Sequence, residues 1–201
     1  MSKPRVAILI SGRGSNMEAL VRAAQDANFP ADIVLVLSNK EDAPGLEIAR
    51  RLGVHAEAVS AKPFGKDREA HERAIDARLL AAGAEIICLA GYMRILTPYL
   101  VGRWRGRMLN IHPSLLPAFP GLDTHARALA AGAHKHGCTV HLVTEIMDDG
   151  PIFAQAEVPV LPGDSEEILA ARVLEQEHRL YPAALAAFAE KIRLPAAGQT
   201  P

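Results

Sequence analysis

The sequence is poor in cysteine, in aromatic residues and in net charge, which are enriched in disulfide-rich proteins and in proteins that bind nucleic acid or membranes. Among its 201 residues there are only two cysteines and 4% aromatic residues, and the formal net charge is −1. Two widely separated cysteines do not make a disulfide framework, so we expect reduced thiols and a cytoplasmic location. Lysines and arginines are scattered, which argues against a surface for nucleic acid or for an anionic membrane. No apolar run is long enough to span a bilayer, and the run at residues 6–10 is too short for a signal-peptide core.

What is present is the composition of an ordinary globular domain, with 49% hydrophobic and 22% charged residues. No linker, repeat or low-complexity stretch divides the chain, so we expect one domain over residues 1–201. Strands are predicted at residues 6–10, 33–37, 54–59, 86–91, 108–112, 137–143 and 152–160, and helices at 17–25, 45–52, 64–82 and 124–131. A last helix is predicted from Asp164 onwards, with Asp164 as its cap and Glu167 as the partner of that cap. This alternation predicts an α/β fold: a Rossmann-like, mostly parallel twisted sheet flanked by helices, with an antiparallel strand at 152–160 in the C-terminal part.

The stretch MLNIHPSLLP at residues 108–117 carries the strongest chemical signal. It predicts a short buried strand that Pro113 ends, because proline has no backbone N–H to donate to the sheet. Side chains alternate along a strand, so Asn110 and His112 face the same side near its carboxyl end. An amide can donate to a developing oxyanion and an imidazole can carry a proton, which is what acyl transfer requires. From these two residues alone, a chance polar pair at the mouth of a loop is an equal alternative.

The turn SGRGSN at residues 11–16 joins the first strand to the first helix. Backbone N–H groups and the positive end of the helix dipole make such a turn an anion site. A dinucleotide fingerprint would need a third glycine where the chain has Met17, and an acidic residue where the chain has Ser-Asn-Lys at 38–40. We therefore favour a phosphate monoester over a dinucleotide, with a tight turn that binds no ligand as the structural alternative.

Three charged residues are further candidates, each with a structural alternative. Asp148 could orient His112, although its Asp-Asp-Gly-Pro context is also ordinary turn chemistry. Glu177 falls in the apolar stripe of the last helix, where burial without a partner is unfavourable, so it either binds ligand hydroxyls or reaches the surface. Arg68, in the first turn of the helix capped by Asp67, could meet a ligand carboxylate or be solvated.

Two other patterns also have two explanations. His134, His136 and Cys138 alternate as zinc ligands can, but no further ligand has matching spacing nearby, so we expect no metal. The apolar residues of segment 92–98 either line a pocket for a flat aromatic ligand or seal the core.

Taken together, these motifs resemble the phosphoribosylglycinamide formyltransferase family. The matching segments are SGRGSN at 11–16, SNK at 38–40, GYMRIL at 91–96, NIHPSLLP at 110–117 and MDDGP at 147–151. The resemblance runs in order from about residue 6 to residue 181. The Asn-x-His-Pro-Ser-Leu-Leu-Pro string is typical of formyl-folate transferases as a superfamily, and the Gly-x-Gly-Ser-Asn turn narrows the choice within it.

The resemblance implies the formyltransferase fold and a reaction of purine biosynthesis. The formyl group of 10-formyltetrahydrofolate would pass to the amine of 5-phosphoribosylglycinamide, without a metal, in a monomer or weak homodimer that binds only small molecules. Phosphate would bind in the half at about 1–100, and folate binding and catalysis would occupy about 101–185. The tail at 194–201 has no packing pattern and is expected to be loose.

The resemblance also assigns residues to roles. The implied catalytic residues are Asn110, His112 and Asp148. The implied contacts to the phosphate and ribose are Gly14, Ser15, Asn16 and Glu177. The implied folate contacts are Arg68, Met93, Arg94, Ile95, Leu96, Asn110, Thr144, Glu145, Ile146, Met147 and Asp148.

Two positions depart from the family pattern. Asp149 stands where a glycine often follows the catalytic aspartate, and spacing favours Asp148 over Asp149 for that role. Leu174 stands where some members have a glutamine near the substrate.

Other functions are possible for a chain with these motifs. Formyltetrahydrofolate hydrolase and methionyl-tRNA formyltransferase share the central motif, but they carry additional domains that we do not expect here. A non-enzymatic module that binds a phosphorylated ligand is the alternative from another class, and it would have no need of Asn110, His112 and Asp148 together.

Overall fold

A computed structural model describes residues 2–193 of the chain, so the predicted loose tail lies outside the described residues. The strands are β1 (Arg5–Ile10), β2 (Asp32–Ser38), β3 (Ala56–Ala58), β4 (Ile86–Leu89), β5 (Met108–His112), β6 (Lys135–Leu142) and β7 (Ile152–Pro159). The helices are α1 (Ser15–Ala24), α2 (Pro44–Arg51), α3 (Arg68–Ala81), α4 (Pro98–Arg103), α5 (Thr124–Ala130) and α6 (Glu166–Arg193), with a 3₁₀ turn at Lys62–Phe64.

The strands form one sheet in the order β3-β2-β1-β4-β5-β6-β7. The pairings among β1 to β5 are all parallel, and β6 pairs antiparallel with both β5 and β7. The predicted α/β class and the mostly parallel sheet are therefore confirmed. The predicted strand at 152–160 is indeed paired antiparallel, and β6 adds a second antiparallel ladder by running against β5.

Helices cover both faces of the sheet, which explains why its central strands read as unbroken apolar runs. In β1, Val6, Ile8 and Ile10 belong to a core cluster that also contains residues of α1, α2 and α6. The alternate residues Ala7 and Leu9 belong to a second cluster that contains residues of α3 and α4. All five side chains are fully buried. The alternation of side chains along each strand thus divides one hydrophobic run between two cores.

One predicted helix cap is confirmed and another is wrong. The Asp67 side chain accepts a hydrogen bond from the Ala70 backbone N–H at 2.9 Å and caps α3 as predicted. Asp164 was expected to cap α6, but its carboxylate is taken by both terminal nitrogens of Arg172, at 2.6 and 2.8 Å. Ser165 stands at the start of α6 instead, where its hydroxyl accepts from the Ile168 backbone N–H at 3.3 Å.

Candidate active site

The candidate site lies at the carboxyl ends of β1, β4 and β5, where the order of the strands reverses direction along the sheet. Crevices at such reversal points are the usual ligand sites of open α/β sheets. Two of the loops here are joined directly. The Ser11 N–H donates to the Gly91 carbonyl at 3.1 Å, and the Met93 N–H donates to the Ser11 hydroxyl at 2.8 Å. The turn after β1 and the loop after β4 therefore hold one another in place.

His112 sits at the end of β5 between two oxygen acceptors. Its Nε2 lies 3.0 Å from the Phe119 carbonyl oxygen, and its Nδ1 lies 3.5 Å from Oδ2 of Asp148. The side chains of His112 and Asp148 are only 7% and 9% exposed. A neutral imidazole has one N–H, whereas an imidazolium has two and can direct one toward each oxygen. The ring of His112 therefore has an oxygen acceptor on each side.

Asp148 is held by its own loop and by the loop after β5. Its backbone has φ of +56°, in the left-handed region that aspartate tolerates better than most residues. Its Oδ2 accepts a hydrogen bond from the Gly121 N–H at 2.8 Å. Phe119, whose carbonyl faces His112, also has a positive φ of +54°. Unusual backbone conformations of this kind concentrate at functional sites, where the surrounding structure maintains them. Asp149, by contrast, is exposed.

Asn110 contacts a residue that the sequence analysis did not select, His141. These two residues are directly opposite one another in the antiparallel ladder between β5 and β6. Nδ2 of Asn110 lies 3.1 Å from Nε2 of His141, and Nδ1 of His141 lies 3.0 Å from the Leu142 carbonyl. His141 Nε2 is also 3.7 Å from Oδ1 of Asp148. The predicted strand contained His141, but only the pairing register could have identified it as a neighbour of Asn110.

The turn after β1, predicted to bind an anion, leads directly into α1. Gly14 precedes α1 with φ of +74°, and the first turn of the helix leaves backbone N–H groups without helical partners. A β-carbon at Gly14 would lie 3.1 Å from the Gly45 α-carbon and 2.9 Å from Cε of Met17. The Gly45 N–H also donates to the Gly12 carbonyl at 3.1 Å. The turn is therefore packed tightly against the start of α2, and glycine is required for both its φ and its close approach.

Glu177 is buried and paired, so the alternative that it reaches the surface is wrong. Its Oε2 accepts from Nδ2 of Asn16 at 2.7 Å, which ties α6 to the first turn of α1. Burial raises the pKa of Glu177, and the hydrogen bond from Asn16 opposes that rise. Oδ1 of Asn16 is buried without a partner among the described residues. A polar pair with unused hydrogen-bonding capacity therefore adjoins the turn after β1.

Several exposed apolar side chains lie on the loops after β4, β5 and β6. Met93, Ile95, Ile146 and Met147, all predicted folate contacts, are between 60% and 67% exposed. Leu122, which the sequence analysis did not select, is 68% exposed on the loop after β5. Exposed apolar groups concentrated on a few loops are typical of a ligand-binding surface.

Leu96 differs from these residues because it packs partly buried against the core under α3 and α4. For Leu96 the structural explanation, sealing of the core, accounts for its position.

The remaining predicted folate contacts are polar residues that are exposed or bonded to nearby groups of the protein. Arg68 is exposed at the first position of α3. Arg94 donates through Nη2 to the Gly65 carbonyl at 3.5 Å, Glu145 pairs with Arg105 at 3.3 Å, and the Thr144 hydroxyl donates to the Ile146 carbonyl at 3.1 Å. These contacts locate the side chains but do not by themselves define a ligand.

Residues 2–193 contain neither a candidate metal cluster nor a helix suited to a bilayer. That part of the chain contains no group of three or more histidine, cysteine or acidic side chains arranged to hold a metal ion. His136, one of the three residues in the alternating pattern, instead has its Nε2 3.1 Å from Nδ1 of His125. In the same range, no helix combines the length and the apolar character needed to cross a bilayer.

The fold and the arrangement of the site define the class of protein. Residues 4–185 match the family model described as formyl transferase, and the chain belongs to that family. The chain is 45% identical over 185 residues to the phosphoribosylglycinamide formyltransferase of Escherichia coli (strain K12), covering 92% of this chain and 87% of that protein. The resemblance expected from the motifs is confirmed.

Other relatives extend the comparison. The chain is 50% identical over 193 residues to the trifunctional purine biosynthetic protein adenosine-3 of Drosophila pseudoobscura pseudoobscura, but it spans only 14% of that longer protein. A solved structure of phosphoribosylglycinamide formyltransferase from Brucella melitensis superimposes with a TM-score of 0.89 and 57% identity, covering 99% of this chain and 98% of that one.

Proposed function

We propose that this chain transfers the formyl group of 10-formyltetrahydrofolate to the amine of 5-phosphoribosylglycinamide. The products would be formylglycinamide ribonucleotide and tetrahydrofolate, in the synthesis of purines. The observation that supports this most strongly is the buried pair of His112 and Asp148 at 3.5 Å, on the strand that also presents Asn110. An oxyanion donor, a proton carrier and an orienting carboxylate are the groups that acyl transfer requires.

The proposed reaction begins when the neutral amine attacks the formyl carbon. A carbon–nitrogen bond forms and the carbonyl oxygen becomes an oxyanion, which accepts a hydrogen bond from Nδ2 of Asn110. The imidazolium of His112 adds to the stabilisation of this charge. When the bond from carbon to the folate nitrogen breaks, the proton released by the amine ends on that nitrogen with the help of His112. Asp148 keeps the imidazole oriented, and the route uses no covalent enzyme intermediate and no metal.

Substrate binding is assigned to the two sides of the crevice. The phosphate would bind the backbone N–H groups of residues 14–16, and Glu177 would accept hydrogen bonds from ribose hydroxyls. The pterin ring would lie among residues 93–96 and 144–148, where exposed apolar side chains can cover a flat ring. Arg68 would meet a carboxylate of the folate tail. Every group named comes from one chain, so the proposal is compatible with a monomer or a weak homodimer, and it involves no nucleic acid.

One assay separates this function from the alternatives. Purified protein is mixed with 10-formyltetrahydrofolate, and tetrahydrofolate release is followed with and without 5-phosphoribosylglycinamide. We expect release only when the amine is present. Release without the amine would indicate a hydrolase, and no release in either mixture would indicate a non-enzymatic binding module. An Asn110→Ala variant serves as the control and should lose about 10²–10³ in kcat while still binding both ligands.

A further inference from the structure

We propose that His141 is a positioning residue, which accepts a hydrogen bond from Asn110 and thereby fixes the orientation of the Asn110 amide toward the substrate carbonyl. The inference deepens the proposed function and depends on it, because it takes Asn110 to be the donor to the oxyanion. His141 would not touch the reacting atoms itself.

The hydrogen-bond partners of the His141 ring define which of its nitrogens carries the hydrogen. Its Nδ1 lies 3.0 Å from the Leu142 carbonyl oxygen, which can only accept, so Nδ1 must carry the hydrogen. In a neutral ring Nε2 then has a free lone pair. Nδ2 of Asn110, 3.1 Å from Nε2, can only donate. The contacts on the two sides of the ring therefore agree on a single tautomer.

The Asn110 amide could adopt either of two orientations, because its nitrogen and oxygen ends are nearly equal in size. With Nε2 of His141 as acceptor, the nitrogen end is held at His141, and one of its two hydrogens is used there. The other hydrogen remains for a substrate oxygen. Turning the amide over would direct Oδ1 at the lone pair of Nε2, which is repulsive. An acceptor at position 141 therefore selects the amide orientation that can donate.

His141 occupies a buried position beside Asn110. It is 2% exposed on β6, directly opposite Asn110 in the ladder with β5. The titratable groups that face it are His112, from β5, and Asp148, from the loop after β6. Burial lowers the pKa of His141 most, the Leu142 hydrogen bond and Asp148 raise it, and His112 lowers it. Burial therefore favours the neutral ring that the proposal requires, while His112 next to it faces two acceptors.

The test is a double-mutant cycle on formyl transfer, which measures whether His141 acts through Asn110. The His141→Leu variant should lose roughly 10–100-fold in kcat, less than the 10²–10³ expected for removing the donor, with KM values for both substrates changed less than about threefold. In the Asn110→Ala background, the same His141→Leu change should lower kcat by less than about threefold, because nothing is left to orient.

Two polar variants distinguish an acceptor at the Nε2 position from a general need for a polar group. The amide of His141→Gln reaches about as far as Nε2 and should restore most of kcat. The amide of His141→Asn is shorter, reaches only the position of Nδ1, and should behave like His141→Leu. If the leucine variant does not fold, the comparison of the glutamine and asparagine variants still tests the proposal. Val140→Ala is the structural control. Val140 precedes His141 on the same strand, but its side chain packs in the core cluster that contains residues of α1, α2 and α6.

Val140→Ala should lower Tm without any coupling to Asn110. Equal losses for His141→Leu in both backgrounds would overturn the proposal, as would a glutamine variant as poor as leucine with an unchanged Tm. Coupling of His141 to an Asp148→Asn variant alone would also overturn it. Full turnover by Asn110→Ala itself is a separate outcome, because it would remove the donor role assigned to Asn110 in the proposed function.

Discussion

Replacing Asp148 by asparagine tests the charge beside His112 while leaving the shape of the site nearly unchanged. The asparagine oxygen can still accept from the Gly121 N–H, which donates to Asp148 at 2.8 Å. What is lost is the attraction between this carboxylate and the imidazolium that the proposed mechanism requires, whose nearest atoms are 3.5 Å apart. At an effective dielectric constant of about 20, two unit charges at that separation attract by about 5 kcal/mol. Removing one partner of a buried pair typically costs about 3–5 kcal/mol.

If most of that energy stabilises the transition state, Asp148→Asn should lower kcat by about 10²–10³, since about 1.4 kcal/mol corresponds to a tenfold change in rate. The assay is formyl transfer with both substrates saturating, together with Tm to establish that the variant is folded. Asp149→Asn is the matched control, because Asp149 is exposed and should tolerate the change within about twofold. Loss of activity in Asp149→Asn together with full activity in Asp148→Asn would refute the assignment of the orienting role to Asp148.

Three further predictions concern other parts of the structure. Gly14→Ala should reduce the free energy of unfolding by about 1–2 kcal/mol and raise KM for the phosphorylated substrate. The reason is that Gly14 has φ of +74° and that a β-carbon at this position would lie 3.1 Å from the Gly45 α-carbon. An unchanged KM would contradict this prediction. Burial raises the pKa of Glu177 above its ordinary value of 4.5, so the folded state holds that proton more tightly than the unfolded chain. Wild-type stability should therefore fall as pH rises from about 4.5 through the raised pKa, and unfolding curves of Glu177→Gln should lack that fall; parallel curves would refute the claim. Burial raises the pKa of both Cys88 and Cys138 to about 12, so neither thiol should react with a disulfide reagent at mildly alkaline pH until the protein unfolds; rapid labelling of the folded protein would be inconsistent with this burial.

The sequence by itself determined the features that depend on neighbouring residues. Apolar runs predicted the buried strands because parallel strands covered on both faces need apolar side chains at every position. The glycines before α1 predicted the turn, and the alternation along β5 predicted that Asn110 and His112 share a face. The family and the fold class inferred from these patterns are confirmed. The roles of the individual site residues stay predictions until the variants are measured.

Only the tertiary structure decided which distant residues meet. His141 neighbours Asn110 because β6 runs antiparallel to β5 in one particular register. No short hairpin turn fixes that register, because residues 113–134 separate the two strands. Asn16 and Glu177 are 161 residues apart, and their hydrogen bond exists because α6 packs against the start of α1. The predicted cap at Asp164 failed for the same reason, since Arg172 on the following helix competes for its carboxylate. The preference of a segment for helix or strand depends on a few neighbouring residues. Which distant side chain a residue contacts depends on how whole helices and strands pack.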